Sequence, residues 1–458
     1  MTTKRSAALH VLALGAAGLL AGGSALASSE TRTAWTRVTP ATGDSNDEVG
    51  HARTTTGVLH VVWRRRVGPN REEIAHTTVS PAGKPGATTV AATPFVLVTD
   101  PDLVVMPDGS LRVFFGAQTG ITESSGVRTA TATAGGSGWS LDPERVSAST
   151  VTPSDVGAAV SAGGVPIVSW IAGPVLSLHT GLSPADPDRA LGPSPKCCFN
   201  RPALVTAGGQ TLLAFHSNVA GQEGIFVRPV APTLGPAHRA PGSTTGGQTV
   251  AVDERTPVTA RSGAAGVYAA YCGGYPECHT VLLWRVGSAK ARTVGEGRDV
   301  ENVNVAPGPD GRLWVMWEDN DANALLARRS DPSVGCMGAI VAVDQPPRSS
   351  YVWALNGEGS LGPLDVFANA APTRVGSAAT WHTRILPGLA LVATGGKTLT
   401  FTVTDACQPV AGARIAVGGR KLATNAKGVA TVTLPAGSYS AVATKLGFTS
   451  ASARVKSA

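Results

Sequence analysis

The sequence lacks most of the features that identify an enzyme class or a nucleic-acid-binding protein. Charged residues make up 15% and aromatic residues 5% of the 458 residues, and the chain has no Gly-x-Ser-x-Gly motif, phosphate-binding loop or Cys-x-x-Cys pair. Basic residues are scattered, the densest cluster being Arg64, Arg65 and Arg66, and the formal net charge is +7. Without a basic stripe or a set of residues at metal-ligand spacing, we expect no nucleic-acid partner, no metal and no cofactor.

Long apolar runs are also missing, apart from a short one at the N-terminus. Lys4 and Arg5 precede an apolar stretch from Val11 to Leu20, and Ala25-Leu26-Ala27 has the small-x-small cleavage pattern. This arrangement predicts a signal peptide over residues 1–27. No segment approaches the roughly 18 apolar residues of a membrane span, so we expect a secreted chain without one.

Six cysteines in an exported chain predict disulfides. Cys272 and Cys278 bracket a short turn-rich segment and should be bridged to each other. The adjacent Cys197 and Cys198 should pair elsewhere, with Cys336 as one candidate. The sixth cysteine, at position 407, lies in a different segment, and its partner is left open.

One pattern recurs seven times: a small residue followed by apolar residues at +2, +4 and +6. The leading residues lie 45 to 56 positions apart and are Gly57, Gly109, Gly164, Gly209, Ala265, Gly311 and Gly362. A spacing of two is the period of a strand with one buried face. A strand-rich repeat of about 40–50 residues is typical of a β-propeller blade.

A second recurring feature follows each copy, an apolar residue before His or Arg. The seven pairs are Ala75-His76, Val127-Arg128, Leu178-His179, Val227-Arg228, Trp284-Arg285, Ala327-Arg328 and Trp381-His382. The two registers predict an all-β chain with a seven-bladed propeller over residues 28–388. Because the loops are unequal in length, six blades is the alternative. We expect the seven cations to lie at blade sides or edges, where they pair with acids and discourage edge pairing.

Residues 389–458 differ from the repeats. Asp405, Pro409-Val410, Gly412-Ala413, Gly428 and the run Leu434-Pro435-Ala436-Gly437-Ser438-Tyr439 follow in order. This segment resembles the carboxypeptidase-regulatory or transthyretin-like family. The resemblance implies a small β-sandwich that serves as a non-catalytic spacer or adhesion unit.

The repeat region resembles the sialidase or Asp-box propeller superfamily. Asp108-Gly109 and Asp310-Gly311 are similar to its blade turns, and Gly136 and Trp139 match its box, with Ala134 in the place of the Asp. Phe199-Asn200-Arg201-Pro202 is similar to its Phe-Arg-Ile-Pro motif, with Asn200 inserted and the Ile missing. The resemblance implies the propeller fold, and for a sialidase it would require three arginines, for which Arg53, Arg201 and Arg261 are the candidates.

Polar residues stand nine positions before six of the seven small residues. The seven positions hold Glu48, Asp100, Asp155, Asn200, Thr256, Asn302 and Trp353. This should be the start of each innermost strand, so the pattern predicts a ring of carboxylates and amides at one mouth of the channel. Solvation of channel strands would explain the same residues without a ligand.

Three functions are compatible with this sequence. The preferred one is a secreted, non-catalytic protein that binds a glycan or another polar ligand through Glu48, Asp100, Asp155, Asn200, Arg201 and Asn302. The second is a sialidase-like glycoside hydrolase, in which paired carboxylates would act as acid and base. The third is a structural component of the cell envelope.

Overall fold

The computed structural model describes residues 34–39, 48–99, 101–120, 125–149, 151–193, 199–217, 222–245, 248–249, 255–273, 278–373 and 377–458. These residues form antiparallel sheets, with a single 3-10 turn at Pro309–Gly311. The prediction of an all-β chain is therefore confirmed. No helix in these ranges is long and apolar enough to cross a membrane.

Seven sheets, numbered here 1 to 7, follow one another between residues 36 and 385. The strands of each sheet are given from the first to the fourth. Sheet 1 contains Gly50–Arg53, Leu59–Gly68, Arg71–Val79 and Thr89–Phe95, and sheet 3 contains Ser154–Val160, Pro166–Ala172, Val175–Thr180 and Arg189–Pro193. Sheet 4 contains Phe199–Ala207, Gln210–Ser217, Gly224–Ala231 and His238–Arg239. Sheets 5 and 6 contain Val258–Ala260, Val267–Cys272, Thr280–Arg285 and Arg292–Glu296; and Val300–Pro307, Leu313–Asp319, Ala324–Arg329 and Val341–Asp344. A two-stranded hairpin, Thr244–Thr245 with Gln248–Thr249, separates sheets 4 and 5.

Sheets 2 and 7 depart from the simple meander. In sheet 2 the first and fourth strands are each split in two, and its strands are Leu97–Val98 with Asp102–Val105, Leu111–Gln118, Ser125–Ala132, and Ser140–Leu141 with Ser147–Ser149. In sheet 7 the fourth strand comes from the N-terminal side of the chain, and its strands are Tyr351–Glu358, Leu364–Ala371, Ala379–Ile385 and Thr36–Arg37. The first strand of the described residues thus completes the last sheet of the series.

The recurring pattern of small and apolar residues corresponds to the second strand of each sheet. Leu59, Val61 and Trp63 are all at most 1% exposed, and the equivalent side chains of the other six copies are buried as well. Six of the seven leading small residues are glycines with φ between 77° and 116°. A left-handed backbone in the hairpin turn favours glycine there, which explains why the pattern begins with it.

The recurring His or Arg lies in the third strand of each sheet. Most of these side chains reach the segment leading to the outer strand: His179 contacts Asp188 at 2.9 Å and Arg328 donates to the Gly338 carbonyl at 2.6 Å. His382 instead contacts Asp365 of the second strand, at 3.0 Å. These side chains therefore tie the outer part of most sheets to the third strand.

The first strands of consecutive sheets contact each other from sheet 1 to sheet 7. The series closes between sheets 7 and 1, where the His51 imidazole meets the Gly357 carbonyl at 3.2 Å and Arg53 forms salt bridges with Glu358 and Asp365. Apolar side chains of neighbouring sheets share common clusters, one of which joins Trp63 of sheet 1 to Phe367 of sheet 7. The core is thus distributed between sheets around a closed ring.

A buried ionic cluster reinforces this closure. Asp365, 1% exposed, accepts hydrogen bonds from Arg53 at 2.7 Å, from Arg384 at 2.9 Å through both oxygens, and from His382 at 3.0 Å. Burial alone would raise its pKa. The hydrogen bonds from His382 and Arg384 and the attraction of the Arg384 charge outweigh burial and lower the pKa to about 2.

Residues 390–457 form two further four-stranded sheets, 8 and 9. Sheet 8 contains Ala390–Thr394, Leu399–Asp405, Gln408–Pro409 and Val429–Val432, and sheet 9 contains, in spatial order, Arg420–Ala423, Arg414–Val417, Gly437–Thr444 and Ala451–Ser457. Alternate residues of both sheets, such as Phe401 and Ile415, point into one shared apolar cluster. This unit therefore has a core of its own.

The C-terminal unit is fixed to sheet 6. Arg329 donates to Asp405 at 2.6 Å, and both side chains are buried. Cys336, after the third strand of sheet 6, forms a disulfide with Cys407, with a Cα–Cα distance of 6.1 Å. The proposed pairing of Cys336 with the cysteines at 197 and 198 is therefore wrong. The loop of Cys336 packs on the C-terminal unit and not on sheet 4, and Cys197 and Cys198 lie outside the described residues.

Candidate functional site at one mouth of the ring

The first strands of four sheets begin with an irregular register, at the position where the sequence predicts polar residues. Sheets 3, 4, 6 and 7 each show a shift there. Asp155 and Asn302 have φ values of 49° and 48°. Asp and Asn tolerate a left-handed backbone better than other non-glycine residues, and bulges can aim a side chain away from the regular ladder. The backbone thus supplies a local reason for polar residues at this level.

Three of the six predicted ligand-binding residues have no described side chain. Asp100 lies outside the described residues. Asn200 and Arg201 lie in the first strand of sheet 4, as expected from the repeat, but only their backbone is described. Glu48, Asp155 and Asn302 are described in full, at the starts of the first strands of sheets 1, 3 and 6.

Arg255, which the sequence analysis did not single out, joins several of these strand starts. Its guanidinium donates to the Val156 carbonyl at 3.1 Å and to the Pro101 carbonyl at 2.5 Å, and it lies 3.4 Å from the carboxylate of Glu48. Its backbone N–H also donates to Glu48. Because Arg255 leads into sheet 5 and its partners belong to sheets 1, 2 and 3, the side chain reaches across the ring.

Two carboxylates lie beside the Arg255 guanidinium at this crossing. Glu48 is 2% exposed, so an unpaired carboxylate there would be costly. Asp102 lies 3.8 Å from the Arg255 guanidinium and accepts the Ala158 N–H at 2.8 Å. The carboxylates of Glu48 and Asp102 therefore hold the Arg255 guanidinium in place.

A second polar cluster lies where sheets 6 and 7 meet at this mouth. Asn302 donates to the Glu318 carboxylate at 2.7 Å and to the Val352 carbonyl at 2.8 Å, and Gln345 donates to the other Glu318 oxygen. Glu318 is fully buried. Burial raises its pKa to about 8; the hydrogen bond from Asn302 opposes this rise, and the charges of Glu301 and Asp299 add to it. The carboxyl group is therefore protonated at neutral pH.

Two aromatic side chains, those of Tyr351 and Trp353, flank Val352, the residue of sheet 7 whose carbonyl accepts the hydrogen bond from Asn302. Tyr351 and Trp353 are both half-buried, and their rings meet edge to face with centroids 4.7 Å apart. Trp353 occupies the sheet 7 position of the predicted ring, and its indole N–H is buried without a hydrogen-bond partner among the described atoms, so the ring face is the part open to a ligand. The mouth thus combines polar groups with a partly exposed aromatic pair.

The structure places two of the three arginine candidates for a sialidase site away from the mouth. Arg53 and Arg261 lie at the ends, not the starts, of the first strands of sheets 1 and 5. Each donates to a carbonyl four residues ahead in its own hairpin, that of Gly57 or Ala265, and also binds a neighbouring sheet. Each of them therefore stabilises its own hairpin and a contact with a neighbouring sheet. Both lie at the opposite end of the first strands from the mouth, where the strand that contains Arg201 begins.

The loop closed by Cys272 and Cys278 joins the second and third strands of sheet 5. The two cysteines form a disulfide with a Cα–Cα distance of 5.7 Å, as the sequence predicts. The residues between Gly273 and Cys278 lie outside the described ranges, and Tyr275 is among them. Tyr271, beside the bridge, is buried and donates to the Pro241 carbonyl at 2.7 Å.

No protein-family model matches the chain, and no curated protein matches it. Solved structures with a similar overall course include the α-L-arabinofuranosidase Arb93A from Fusarium graminearum, at 10% identity over 77% of this chain and 98% of that one, with a TM-score of 0.43. The polysaccharide lyase Uly1 aligns at 9% identity over 76% and 91%, with a TM-score of 0.42. The arabinanase Arb43A from Bacillus subtilis aligns at 11% identity over 77% and 96%, with a TM-score of 0.33.

Proposed function

We propose that residues 28–388 form a seven-bladed β-propeller and residues 389–458 a β-sandwich, secreted after removal of a signal peptide at residues 1–27. The seven sheets with contacting first strands, and the closure of the last sheet by the strand Thr36–Arg37, support the blade count over six. The shared core of sheets 8 and 9 supports the sandwich. The disulfides Cys272–Cys278 and Cys336–Cys407 fit an oxidising compartment.

We infer that the protein binds a glycan, or another polar ligand, over this mouth without cleaving it. The observation that carries this inference is the half-buried pair Tyr351 and Trp353 beside the Asn302 cluster. The partly exposed faces of these two rings offer an apolar surface on which a sugar ring can pack, and the half-buried Asn302 amide lies beside them.

The state of the carboxyl groups supports binding over catalysis. Glu48 and Asp102 hold Arg255, and an acid or base that is bound to a guanidinium is poorly placed to exchange protons with a ligand. Glu318 has the raised pKa expected of a catalytic acid, and this one observation favours the sialidase-like glycoside hydrolase as an alternative. However, Glu318 is fully buried and enclosed by two amides.

The test is a glycan array combined with a panel of fluorogenic glycosides. We expect array binding without turnover, and a loss of affinity of about tenfold in Trp353→Ala, which corresponds to about 1.4 kcal/mol. Trp35→Ala is the matched control, because Trp35 is also half-buried but lies beside the outermost strand of sheet 7. Equal losses in both variants would contradict a specific role for Trp353.

Asp155→Asn separates binding from catalysis. Asn retains the tolerance for a left-handed backbone and removes only the charge. If the protein turns over a glycoside and this variant abolishes turnover, the protein is a hydrolase and the binding proposal fails. If neither binding nor turnover is found, the remaining candidate is a structural role in the cell envelope.

A further inference from the structure

The net charge of the chain is distributed very unevenly. Residues 389–458 contain eight Lys and Arg residues and one acidic residue, so the remaining 388 residues contain 30 of each sign. The whole formal charge of +7 therefore belongs to the C-terminal unit. A charge asymmetry of this kind between parts of a chain indicates an anionic partner for the charged part.

The single acidic residue of this unit does not offset its exposed cations. Asp405 is 4% exposed and accepts a hydrogen bond from Arg329 of sheet 6 at 2.6 Å, with Arg312 of the same sheet 3.7 Å away. Its charge is thus neutralised by the ring. All eight cations of the unit remain without an acidic neighbour inside the unit.

Four of these cations lie on the outward face of sheet 9. Arg414, Lys421, Arg454 and Lys456 are exposed, and each alternates with side chains that point into the core, such as Ile415. The cross-strand pairing places Ala416 opposite Lys421, and it places Ser440 and Ser438 opposite Arg454 and Lys456. We call the four cations the basic face.

The basic face is wide and rich in hydroxyl groups. Lys421 and Arg454 lie on the two edge strands, three strand spacings apart, which is about 14 Å. Between them are short side chains, and a depression of about 500 Å³ is lined by Ser438, Tyr439, Ser440, Arg454, Val455 and Lys456. A single small anion cannot contact cations on both edges, whereas an extended polyanion can.

The chemistry of the face favours an acidic polysaccharide over a nucleic acid. Single-stranded nucleic acids are held by exposed aromatic side chains on which the bases stack. Residues 389–458 contain only three aromatic residues, Phe401, Tyr439 and Phe448, and none of them is exposed. Serine hydroxyls between cations instead suit a chain that carries both hydroxyl and carboxylate groups.

We propose that the basic face of the C-terminal unit binds an acidic, carboxylated polysaccharide. This surface shares no residue with the mouth of the ring, so it does not depend on the ligand inferred there. It would hold the protein on an acidic matrix while the mouth remains open to its own ligand.

The test measures binding of the full mature chain to immobilised polygalacturonate. The variant replaces all four cations of the basic face with Gln, and the matched control replaces four exposed cations of the ring, Arg71, Lys84, Arg239 and Lys290. Both variants lose four charges. We expect at least about tenfold weaker binding in the first and less than about twofold in the control, with an affinity that falls as salt rises.

Several outcomes would overturn the proposal. Equal losses in the two variants would mean that net charge alone matters. Absence of binding to polygalacturonate near physiological salt would exclude the proposed partner. Tighter binding to double-stranded DNA, or to vesicles of anionic lipid, would identify a different partner. A neutral polysaccharide that binds equally well would show that charge is not recognised. Because all four residues are exposed, a circular-dichroism spectrum and unfolding midpoint like those of the wild type should verify the fold.

Discussion

Replacement of Asp365 by Asn tests whether the ionic cluster between sheets 7 and 1 holds the ring closed. Each pKa unit corresponds to about 1.4 kcal/mol, so lowering the pKa from 3.8 to about 2 corresponds to about 2.5 kcal/mol of folded-state stabilisation. Removing one partner of a buried ion pair typically costs about 3–5 kcal/mol. We therefore expect Asp365→Asn to lower the free energy of unfolding by about 3 kcal/mol at pH 7.

The pH dependence follows from the sign of the pKa change. Because the folded pKa is depressed, the stabilisation is fully present above the unfolded pKa near 3.8 and is lost as pH falls through about 2. The difference between wild type and variant should thus shrink between pH 5 and pH 2. Denaturant midpoints followed by tryptophan fluorescence at several pH values measure it.

Asp321→Asn is the control, because Asp321 is an exposed carboxylate in a turn. We expect little change in its midpoint at any pH. If Asp365→Asn behaves like this control at pH 7, the ionic cluster does not stabilise the closure. If the deficit of Asp365→Asn persists undiminished at pH 2, the side chain acts through packing and not through its charge.

Three further predictions concern the mouth and the contact between sheets 1 and 2. Between pH 5 and pH 8, the stability of Glu318→Gln relative to the wild type should rise by about 3 kcal/mol. The reason is that the raised pKa of Glu318 makes the wild type lose stability as pH rises from 4.5 to about 8. Thermal melts of both proteins at both pH values measure this change. Arg255→Ala should lower the unfolding midpoint by the equivalent of about 3–5 kcal/mol, because it leaves buried carboxylate charge unpaired. Gly136→Ala should destabilise by about 2–4 kcal/mol, because φ is 72° and a Cβ would lie 2.7 Å from both His60 and His76.

Each of these predictions has an internal control. The double variant Arg255→Ala with Glu48→Gln should recover part of the loss, and no recovery would contradict the pairing of their charges. Gly135→Ala should be nearly neutral, since its nearest neighbour would be 3.9 Å away. A Glu318→Gln difference that does not change with pH would show that the carboxyl group titrates normally.

The sequence was sufficient to predict the repeated strands because burial imposes a period of two on them. Leu59, Val61 and Trp63 must all face one side, and a glycine must allow the left-handed turn before them. The same alignment predicted the position of Asn302 at a strand start, since its backbone requirement recurs between sheets. Local physical constraints of this kind are visible in a single sequence.

The contacts across the ring could not be predicted in the same way. Arg255 lies in a loop and follows no period, and its partners come from three other sheets. Arg53 and Arg261 looked suitable for binding a carboxylate, but their spacing to the next glycine or alanine places them at the other end of their strands. The partner of Cys336 could not be predicted from sequence spacing either, because it depends on how the C-terminal unit packs against sheet 6.

The strand Thr36–Arg37 completes sheet 7, and this has a consequence for the order of events during synthesis. The Thr380 N–H donates to the Thr39 hydroxyl, across 341 residues of chain. A chain that emerges from its N-terminus must therefore keep this short strand unpaired until nearly the whole ring has been made. Such non-local pairing slows folding and leaves a sheet edge open to other chains. We expect a chaperone that binds unfolded chains to matter most before residue 385 has been synthesised.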